Sequence, residues 1–319
     1  MAGMMKLLAV VVGLLFLVPD TMQLSVDHPL HTVVERLNVN TGPFLGLVIS
    51  SGRDEKILKN SSYYEPDASN PYITIAGRRF NFGRFSGEPV IYVLAGEPLG
   101  NVGVTVQILI NTFRIKGIIN YGAAATVSNQ VFIADVVVPS QVAFTGNWRW
   151  EKYESEVLKK PSLVIGEYNV PEAGANYLEH ITSLKTKTYT PTSGAKRAYF
   201  FNVHPEWVQL ASQLNFGERP TVHRGEGVSV GSSDIYVSNV AYSTFLNKKL
   251  NVTAIDTESA AVVSTSIANG VPHIVFRGTS NRPGSDSDSR LSEVTAKNVL
   301  KTVAAFIGAL SPKTSASAY

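Results

Sequence analysis

Short apolar runs separated by helical patterns recur along this chain, and that alternation most constrains its fold. Each run is rich in aliphatic or aromatic residues and is bounded by Gly, Pro or polar residues, which is typical of buried strands. The clearest runs are Phe44–Ser50, Pro89–Ala95, Gly117–Tyr121, Leu250–Ile255 and His273–Phe276. Strands that alternate with helices predict an α/β fold with a largely parallel or mixed central sheet flanked by helices.

The same patterns predict the helices and the other strands. Helices are expected from Gly96 to about Arg114 and at Val170–Thr182, His204–Leu214, Thr257–Ala268 and Ser292–Leu310. Further strands are expected at Tyr72–Ile75, Arg79–Phe85, Gln130–Val138, Thr221–Val230 and Ile235–Val237, the first two as a hairpin. Loops are expected at Asn60–Pro71 and Trp148–Trp150, and small residues predict a turn at Gly122–Ala125 that lets a ligand or backbone approach closely.

Composition favours a globular chain and excludes several classes of protein. Of the 319 residues, 44% are hydrophobic and 17% are charged, so the chain can bury a sizeable core and is not disordered. The formal charge of +3 comes from dispersed basic residues, which argues against a nucleic-acid partner. The chain has no cysteine, so disulfides and cysteine nucleophiles are excluded. The six histidines show no metal-ligand spacing beyond His28 and His31, so we expect no metal site.

The first residues are typical of a secretory signal peptide. Lys6 precedes the apolar run Leu7–Val18, and Pro19-Asp20 ends it. We therefore expect residues 1–24 to be a leader and residues 25–319 to form a single domain, although no Ala-x-Ala cleavage pattern follows the run. An uncleaved anchor is the alternative. No later stretch approaches the length of a membrane span, so no stable span is expected once the leader is removed.

Entry into the secretory pathway would allow glycosylation at two sites. Asn60 and Asn251 each begin an Asn-x-Ser/Thr sequon. Asn60 lies in a predicted polar loop, where modification is plausible. Asn251 opens a predicted strand that we expect to be partly buried, which argues against its modification.

Two strand ends carry the side chains best suited to chemistry. After one predicted strand, Glu258 stands at the start of a helix, where backbone N–H groups and the helix dipole favour an anion. After the next strand come Arg277, Ser280 and Asn281. Ligands of α/β proteins bind where strands end and helices begin, so we expect one pocket to collect these residues. The alternatives are a Glu258 that only stabilises the helix dipole and an Arg277 in an ordinary surface ion pair.

Three of these segments resemble a known family. The runs Ala254–Val262, Arg277–Asn281 and Ser232–Val237 resemble the signature of the nucleoside phosphorylases and the methylthioadenosine/adenosylhomocysteine nucleosidases. The resemblance spans roughly Leu45–Leu310 and implies the fold of that family. It also implies that Glu258 binds the ribose hydroxyls and stabilises positive charge as the glycosidic bond loosens.

Departures from the family pattern govern the functional expectation. In the family an Asp follows the Ser and protonates the purine, but Asn281 stands in that position and has no ionisable proton. Thr257 stands where the family has Met. Asp234 matches an aspartate of the family, Tyr236 matches the aromatic that stacks on the purine, and the backbone of Val237 would read the base edge. The alternative for Tyr236 is a core position in an alternating strand.

The resemblance also implies sites for phosphate or for water. Members with phosphorylase activity hold phosphate at a glycine loop, which here begins at Gly96, and at two arginines, one of which could be Arg53. Asn120 follows the nucleosidase pattern, since phosphorylases have Arg there. Hydrolases of the family place a glutamate after the first strand to activate water, and both Asp54 and Glu55 fall near that position. Apart from phosphate as a co-substrate, we expect no cofactor.

The leader, the cysteine-free body and the Ser-Asn pair together resemble the plant bark and vegetative storage branch of the family. That resemblance implies a nitrogen reserve that accumulates in the vacuole, with an extracellular location as the alternative. The rival hypothesis is an active nucleosidase or phosphorylase acting on adenosine, cytokinin ribosides or methylthioadenosine-like nucleosides. A binding module without turnover is a third hypothesis. In each case the partner is a purine nucleoside or base, and we expect a homo-oligomer, either a dimer or a trimer.

Overall fold

The computed structural model describes residues 24–25, 27–150, 181–285 and 288–310. Within these ranges the helices are α1 His31–Asn40, α2 Gly52–Lys59, α3 Leu99–Thr112, α4 Pro205–Gln213, α5 Val240–Leu250, α6 Ser259–Ala268 and α7 Ser289–Leu310. The strands are β1 Phe44–Ile49, β2 Tyr64–Pro66, β3 Tyr72–Ile75, β4 Arg78–Phe85, β5 Glu88–Leu94, β6 Ile115–Thr126, β7 Val136–Phe144, β8 Trp148–Trp150, β9 Ile181–Ser183, β10 Thr186–Thr190, β11 Gly194–Ala198, β12 Phe200–Asn202, β13 Val222–Ser232, β14 Ala254–Asp256 and β15 His273–Asn281. Residues 1–23 of the expected leader lie outside the described residues.

Most of the strands form one mixed sheet of 11 strands. Strand β1 lies parallel to both β5 and β6 in its middle. Strands β6, β15, β7, β13 and β14 pair in succession, and β14 pairs back onto β6, so this part of the sheet closes into a ring. The expected α/β class with a mixed sheet and flanking helices is confirmed.

Helices cover both faces of the sheet because alternate strand residues point to opposite faces. Leu47 and Ile49 of β1 join a core to which α2, α4 and α7 contribute, whereas Val48 joins a second core with residues of α1 and α3. Helix α7 presents Val303 and Phe306 to the first core, in agreement with its helical apolar spacing. Within the described ranges, no helix combines the length and the apolar character that crossing a membrane requires.

Strand β6 corrects one prediction, because it continues through the expected turn at Gly122–Ala125. The small residues serve close packing inside the sheet instead of a turn. A Cβ atom on Gly122 would lie 1.9 Å from Oγ of Ser50. Ala125 is paired on both sides, with Ile255 and with Asn281.

Other boundaries were also wrong. The strand expected from Gln130 begins only at Val136, because Asp135 accepts a hydrogen bond from the backbone N–H of Phe132 at 2.9 Å and closes a turn before it. The loop predicted at Asn60–Pro71 contains β2. Trp148–Trp150, predicted as a loop, is strand β8 and pairs with β9. The helix expected at Val170–Thr182 lies outside the described residues except for its last two positions, which belong to β9.

The strand predicted at Leu250–Ile255 begins later than expected, because helix α5 extends to Leu250 and strand β14 starts at Ala254. The side chain of Asn239 caps α5 by accepting a hydrogen bond from the N–H of Tyr242 at 2.7 Å, so Leu250 ends a helix instead of starting a strand. Asn251 follows with a positive φ of 52° and is exposed, as is Asn60. Burial therefore does not argue against modification of Asn251.

Close packing of α7 against β15 generates a stability prediction. A Cβ atom on Gly278 would lie 2.4 Å from Cγ2 of Thr295 and 2.5 Å from Cγ2 of Val299. Gly278→Ala should therefore lower the free energy of unfolding by about 1–3 kcal/mol, measured by urea denaturation. Gly308→Ala is the control, because that position on α7 has no neighbour within 4 Å, and it should be neutral or stabilising by up to about 1 kcal/mol. Equal effects of the two substitutions would contradict this account of the packing.

Candidate functional site

A cavity of about 260 Å³ opens where the strands of the ring end. Strands β1, β5, β7, β13, β14 and β15 all deliver residues to it from their carboxyl ends, as expected for an α/β protein. The lining residues are Ser50, Ser51, Glu97, Ala123, Ala124, Ala125, Thr145, Ser233, Ile235, Tyr236, Val237, Ile255, Asp256, Thr257, Glu258, Ser280 and Asn281. The cavity is close in size to the smaller pockets that bind drug-sized ligands.

Glu258 is held at the floor of the cavity by the junction between β14 and α6. Oδ1 of Asp256 accepts hydrogen bonds from the N–H groups of Glu258 and Ser259, both at 3.1 Å, and so satisfies the start of the helix. Glu258 is only 2% exposed. Its Oε2 accepts hydrogen bonds from Ser50 at 2.7 Å and Asn120 at 3.4 Å. Within the described part of the chain, side-chain hydrogen bonds reach Oε2 alone, so Oε1 remains for a ligand.

Arg277 lies behind Glu258 and is fully buried. Its Nε is 2.6 Å from Oδ2 of Asp256, and its Nη2 is 3.2 Å from Oε2 of Glu258. It also donates hydrogen bonds to Ser50 and to the side-chain oxygen of Asn120. Arg277 is therefore not part of a surface ion pair, and it does not line the cavity. It neutralises and positions the carboxylates that do.

Burial sets the ionisation of the Glu258 carboxylate. It raises the pKa of Glu258, and the nearby Asp256 carboxylate adds to the rise, although Arg277 and the hydrogen bonds from Ser50 and Asn120 oppose it. The pKa of the Arg277 guanidinium is also raised, because Asp256 and Glu258 outweigh the effect of its own burial. The raised pKa of Glu258 therefore means that the cost of burying its charge outweighs the stabilisation that Arg277, Ser50 and Asn120 give to the ionised form.

The structure distinguishes the two carboxylates that follow β1. Asp54 is 4% exposed and accepts a hydrogen bond at 2.6 Å from Oγ of Ser51, which lines the cavity. Burial raises the pKa of Asp54, despite that hydrogen bond and the attraction of Arg277. Glu55 instead accepts a hydrogen bond from Tyr92 at 2.9 Å and pairs with Lys59 at 2.6 Å. Asp54, not Glu55, is the carboxylate beside the cavity.

Ser280 and Asn281 form part of the cavity wall at the end of β15. Oγ of Ser280 donates to Oδ1 of Asn281 at 3.2 Å. At the end of β15, Asn281 pairs with Ala125 of β6. This pairing fixes the backbone of Asn281 within the ring of strands. Both residues line the cavity, so the amide of Asn281 can donate one hydrogen bond and accept another at a base edge.

Tyr236 and Val237 form the rim of the cavity, and they correct a further prediction. Residues Ile235–Val237 are not a strand but an irregular segment after β13. Tyr236 is 81% exposed, so it is not a core residue, and its ring is free to stack on a ligand. Val237 is buried and packs in a small core with residues of α5.

The remaining predicted site residues lie outside the cavity lining. Asp234 accepts a hydrogen bond at 2.7 Å from the N–H of Leu99, at the start of α3. Arg53 is exposed on α2, and neither Gly96 nor Gly122 lines the cavity. Asn120 is fully buried and acts behind Glu258.

Sequence reasoning missed six polar residues of the lining. They are Ser50, Ser51, Glu97, Thr145, Ser233 and Asp256. Each ends a strand or follows one closely, so the strand-end rule could have found them. What the rule could not show is which strand ends meet.

Comparison with known proteins identifies the family of the chain. The model of the phosphorylase superfamily matches residues 45–312. The chain belongs to the phosphorylase superfamily. Within it, the chain is 35% identical to bark storage protein A of Populus deltoides over 307 residues, which cover 91% of this chain and 96% of that protein. The 5′-methylthioadenosine/S-adenosylhomocysteine nucleosidase of Treponema pallidum is 24% identical over 219 residues, 68% of this chain and 75% of the relative.

Solved structures of the superfamily share the fold. A futalosine hydrolase mutant of Helicobacter pylori matches with a TM-score of 0.60 at 15% identity, over 84% of this chain and 99% of that chain. A mutant of the methylthioadenosine nucleosidase from the same organism, with 5′-methylthioadenosine in its active site, matches with a TM-score of 0.59 at 17% identity. The match covers 84% of this chain and 99% of that chain. At this identity the likeness establishes the fold.

The raised pKa of Glu258 predicts a pH dependence of stability. A carboxyl whose folded pKa is raised contributes stability that is complete below its ordinary pKa of 4.5 and is lost as pH rises through the folded value. The difference in unfolding free energy between the wild type and Glu258→Gln should therefore fall as pH rises above about 4.5, measured by urea denaturation at several pH values.

Glu55→Gln is the matched control with the opposite sign. Burial raises the pKa of Glu55, but Lys59 and Tyr92 outweigh it and the pKa is lowered below 4.5. Its stabilising contribution is present above that value and is lost as pH falls. The difference between the wild type and Glu55→Gln should thus grow with pH. Slopes of the same sign for both variants would contradict the assigned environments.

Proposed function

We propose that this protein is a storage-type member of the phosphorylase superfamily, a nitrogen reserve that keeps a purine-nucleoside pocket but lacks the proton donor for efficient cleavage. The observation that carries the proposal is Asn281 at the position of the family's general acid, in a chain 35% identical to a bark storage protein. An amide cannot protonate a leaving purine at any relevant pH. A general acid typically supplies about 10²–10⁴-fold in rate, so its loss leaves weak turnover at most.

Retention of the pocket is supported by the environment of Glu258. A buried carboxylate with one oxygen fixed by Ser50 and Asn120 and the other free suits two vicinal ribose hydroxyls. The exposed ring of Tyr236 offers a stacking surface, and the amide of Asn281 offers paired hydrogen bonds, as a purine requires. The ligand class that these groups favour is therefore a purine nucleoside.

Hydrolysis is the second candidate function, and the charges around the cavity favour it over phosphorolysis. The charged side chains in the described lining are carboxylates, those of Glu97, Asp256 and Glu258. Arg277 is already neutralised by Asp256 and Glu258, and Arg53 is exposed. A phosphate anion would therefore meet repulsion in this cavity. Any residual cleavage would use water, with buried Asp54 as its base.

The cellular setting follows from the sequence features and the storage relatives. Residues 1–24 would direct the chain into the secretory pathway and leave 25–319 as the mature domain, which would reach the vacuole. Asn60 and Asn251, both exposed, would be available for glycosylation. The mature protein would assemble as a homo-oligomer. A storage role is tested by protein abundance in the source tissue, which should rise with nitrogen supply and fall on starvation. Constant abundance would argue against it.

Restoring the acid should improve cleavage. Asn281→Asp should raise the rate of purine release by about tenfold or more, because the aspartic acid can donate the proton that the amide cannot. The measurement is release of base from adenosine, inosine and methylthioadenosine, with and without phosphate. Phosphate should not accelerate either protein. Wild-type turnover as fast as that of the Asp variant would contradict the storage proposal.

A second substitution identifies the base. In the Asn281→Asp background, Asp54→Asn should remove most of the gain, whereas Glu55→Gln should leave it within about twofold, because Glu55 is engaged with Lys59 and Tyr92. The opposite order would show that the water is activated elsewhere.

Nucleoside binding should stabilise the wild type without any turnover. At a concentration one hundred times Kd, adenosine should stabilise the native state by about 2.7 kcal/mol, which a thermal shift detects readily. Glu258→Gln keeps the shape but replaces one acceptor oxygen by a donor, so the shift should largely disappear. A nucleoside shift that persists in Glu258→Gln would refute the proposed ribose site.

A further inference from the structure

Glu97 and Thr257 form a polar corner of the cavity that the proposed chemistry does not use. The hydroxyl of Thr257 donates a hydrogen bond to Oε1 of Glu97 at 2.5 Å, and both residues line the cavity. Glu97 follows β5 and Thr257 follows β14, so two separate strand ends meet here. Within the described residues, Oε2 of Glu97 accepts no hydrogen bond and is available to a ligand.

The corner explains the departure at Thr257. The family pattern has Met at this position, an apolar side chain without a hydroxyl. Threonine instead supplies the donor that holds Glu97 against the cavity. A methionine could not do so, and it would leave Glu97 without this partner. Thr257 and Glu97 therefore act together and give this corner of the cavity an acidic surface.

The position of the corner identifies the part of the ligand that it meets. Thr257 immediately precedes Glu258, which takes the ribose hydroxyls in the proposed complex. The base-binding residues Tyr236 and Asn281 come from other strand ends. If Glu258 holds the two vicinal hydroxyls of a ribose, C3′ lies at its carboxylate, and the 5′ substituent, which C4′ carries next to C3′, is the ligand group that we expect at the adjoining corner.

We propose that Glu97, positioned by Thr257, selects nucleosides whose 5′ substituent is a hydrogen-bond donor or a cation and rejects those with a 5′ phosphate or an apolar thioether. This inference rests on the proposed nucleoside site and specifies its substrate class. A carboxylate oxygen accepts hydrogen bonds and attracts cations, offers a thioether nothing, and repels a phosphate. Glu97 is exposed, so screening by solvent limits the effect to moderate ratios of affinity.

The test is calorimetric titration of the full protein at neutral pH with four probes: adenosine, 5′-amino-5′-deoxyadenosine, 5′-methylthioadenosine and adenosine 5′-monophosphate. In the wild type the amine should bind about tenfold tighter than the thioether, and the monophosphate should bind most weakly. Glu97→Gln should reduce the preference for the amine over the thioether by about fivefold to tenfold. The affinity for the thioether should stay within about twofold of the wild-type value.

Two further variants separate selection from structural damage. Thr257→Met restores the family residue and should shift the preference towards the thioether. Glu218→Gln removes an exposed carboxylate outside the cavity lining and should change none of the four affinities. If Glu97→Gln weakens all four probes equally, Glu97 is structural and the inference is overturned.

The outcomes also distinguish this inference from the proposed function. If the wild type binds all four probes alike, the nucleoside site stands and the selection by Glu97 falls. If none of the nucleosides binds, both are refuted. Tight binding of the monophosphate would overturn the inference alone, because it would show that the corner does not repel an anion.

Discussion

The site depends on one buried guanidinium, that of Arg277. It joins the ends of strands that are distant in sequence to the first turn of α6, through hydrogen bonds or ion pairs with Ser50, Asn120, Asp256, Glu258 and Ser259. Removing one partner of a buried ion pair typically costs about 3–5 kcal/mol, because a charge remains uncompensated. The walls of the cavity are therefore fixed by the same interaction that the fold needs.

This dependence explains how the proposed nucleoside pocket can persist in a chain that has Asn281 at the position of the family's acid. Glu258 compensates Arg277 and is 2% exposed, so it cannot be exchanged without a cost in stability. Asn281 lies at the cavity wall, where its partner is the neighbouring Ser280, so a change of Asp to Asn there alters the chemistry with little effect on the fold. Folding alone therefore gives a reason for the presence of Glu258. Ligand binding has to be measured in its own right.

The sequence predicted the general fold well because the apolar runs are strong and the signature segments are specific. Strands β1, β5 and β15 and helices α4, α6 and α7 lie close to their expected positions. It also predicted correctly that the chain is related to the bark storage proteins and the nucleosidases. These conclusions depend on local patterns, which a single sequence carries.

The rest depends on contacts between distant segments. The small residues at Gly122–Ala125 have the composition of a turn, but the ring of strands requires them as a closely packed strand. Asp54 and Glu55 are adjacent, and only the direction of α2 shows that Glu55 turns to Tyr92 while Asp54 faces Ser51. Nothing local in the sequence indicates that Arg277 is buried, since arginine is usually exposed.

We propose that Glu258 of this storage-type protein still holds the ribose of a nucleoside. A crystal structure of the protein with adenosine is the decisive measurement. The two ribose hydroxyls should donate hydrogen bonds to the carboxylate of Glu258, mainly to Oε1, and the base should lie between Tyr236 and Asn281. An empty cavity at saturating adenosine, or adenosine bound with its ribose away from Glu258, would contradict the claim.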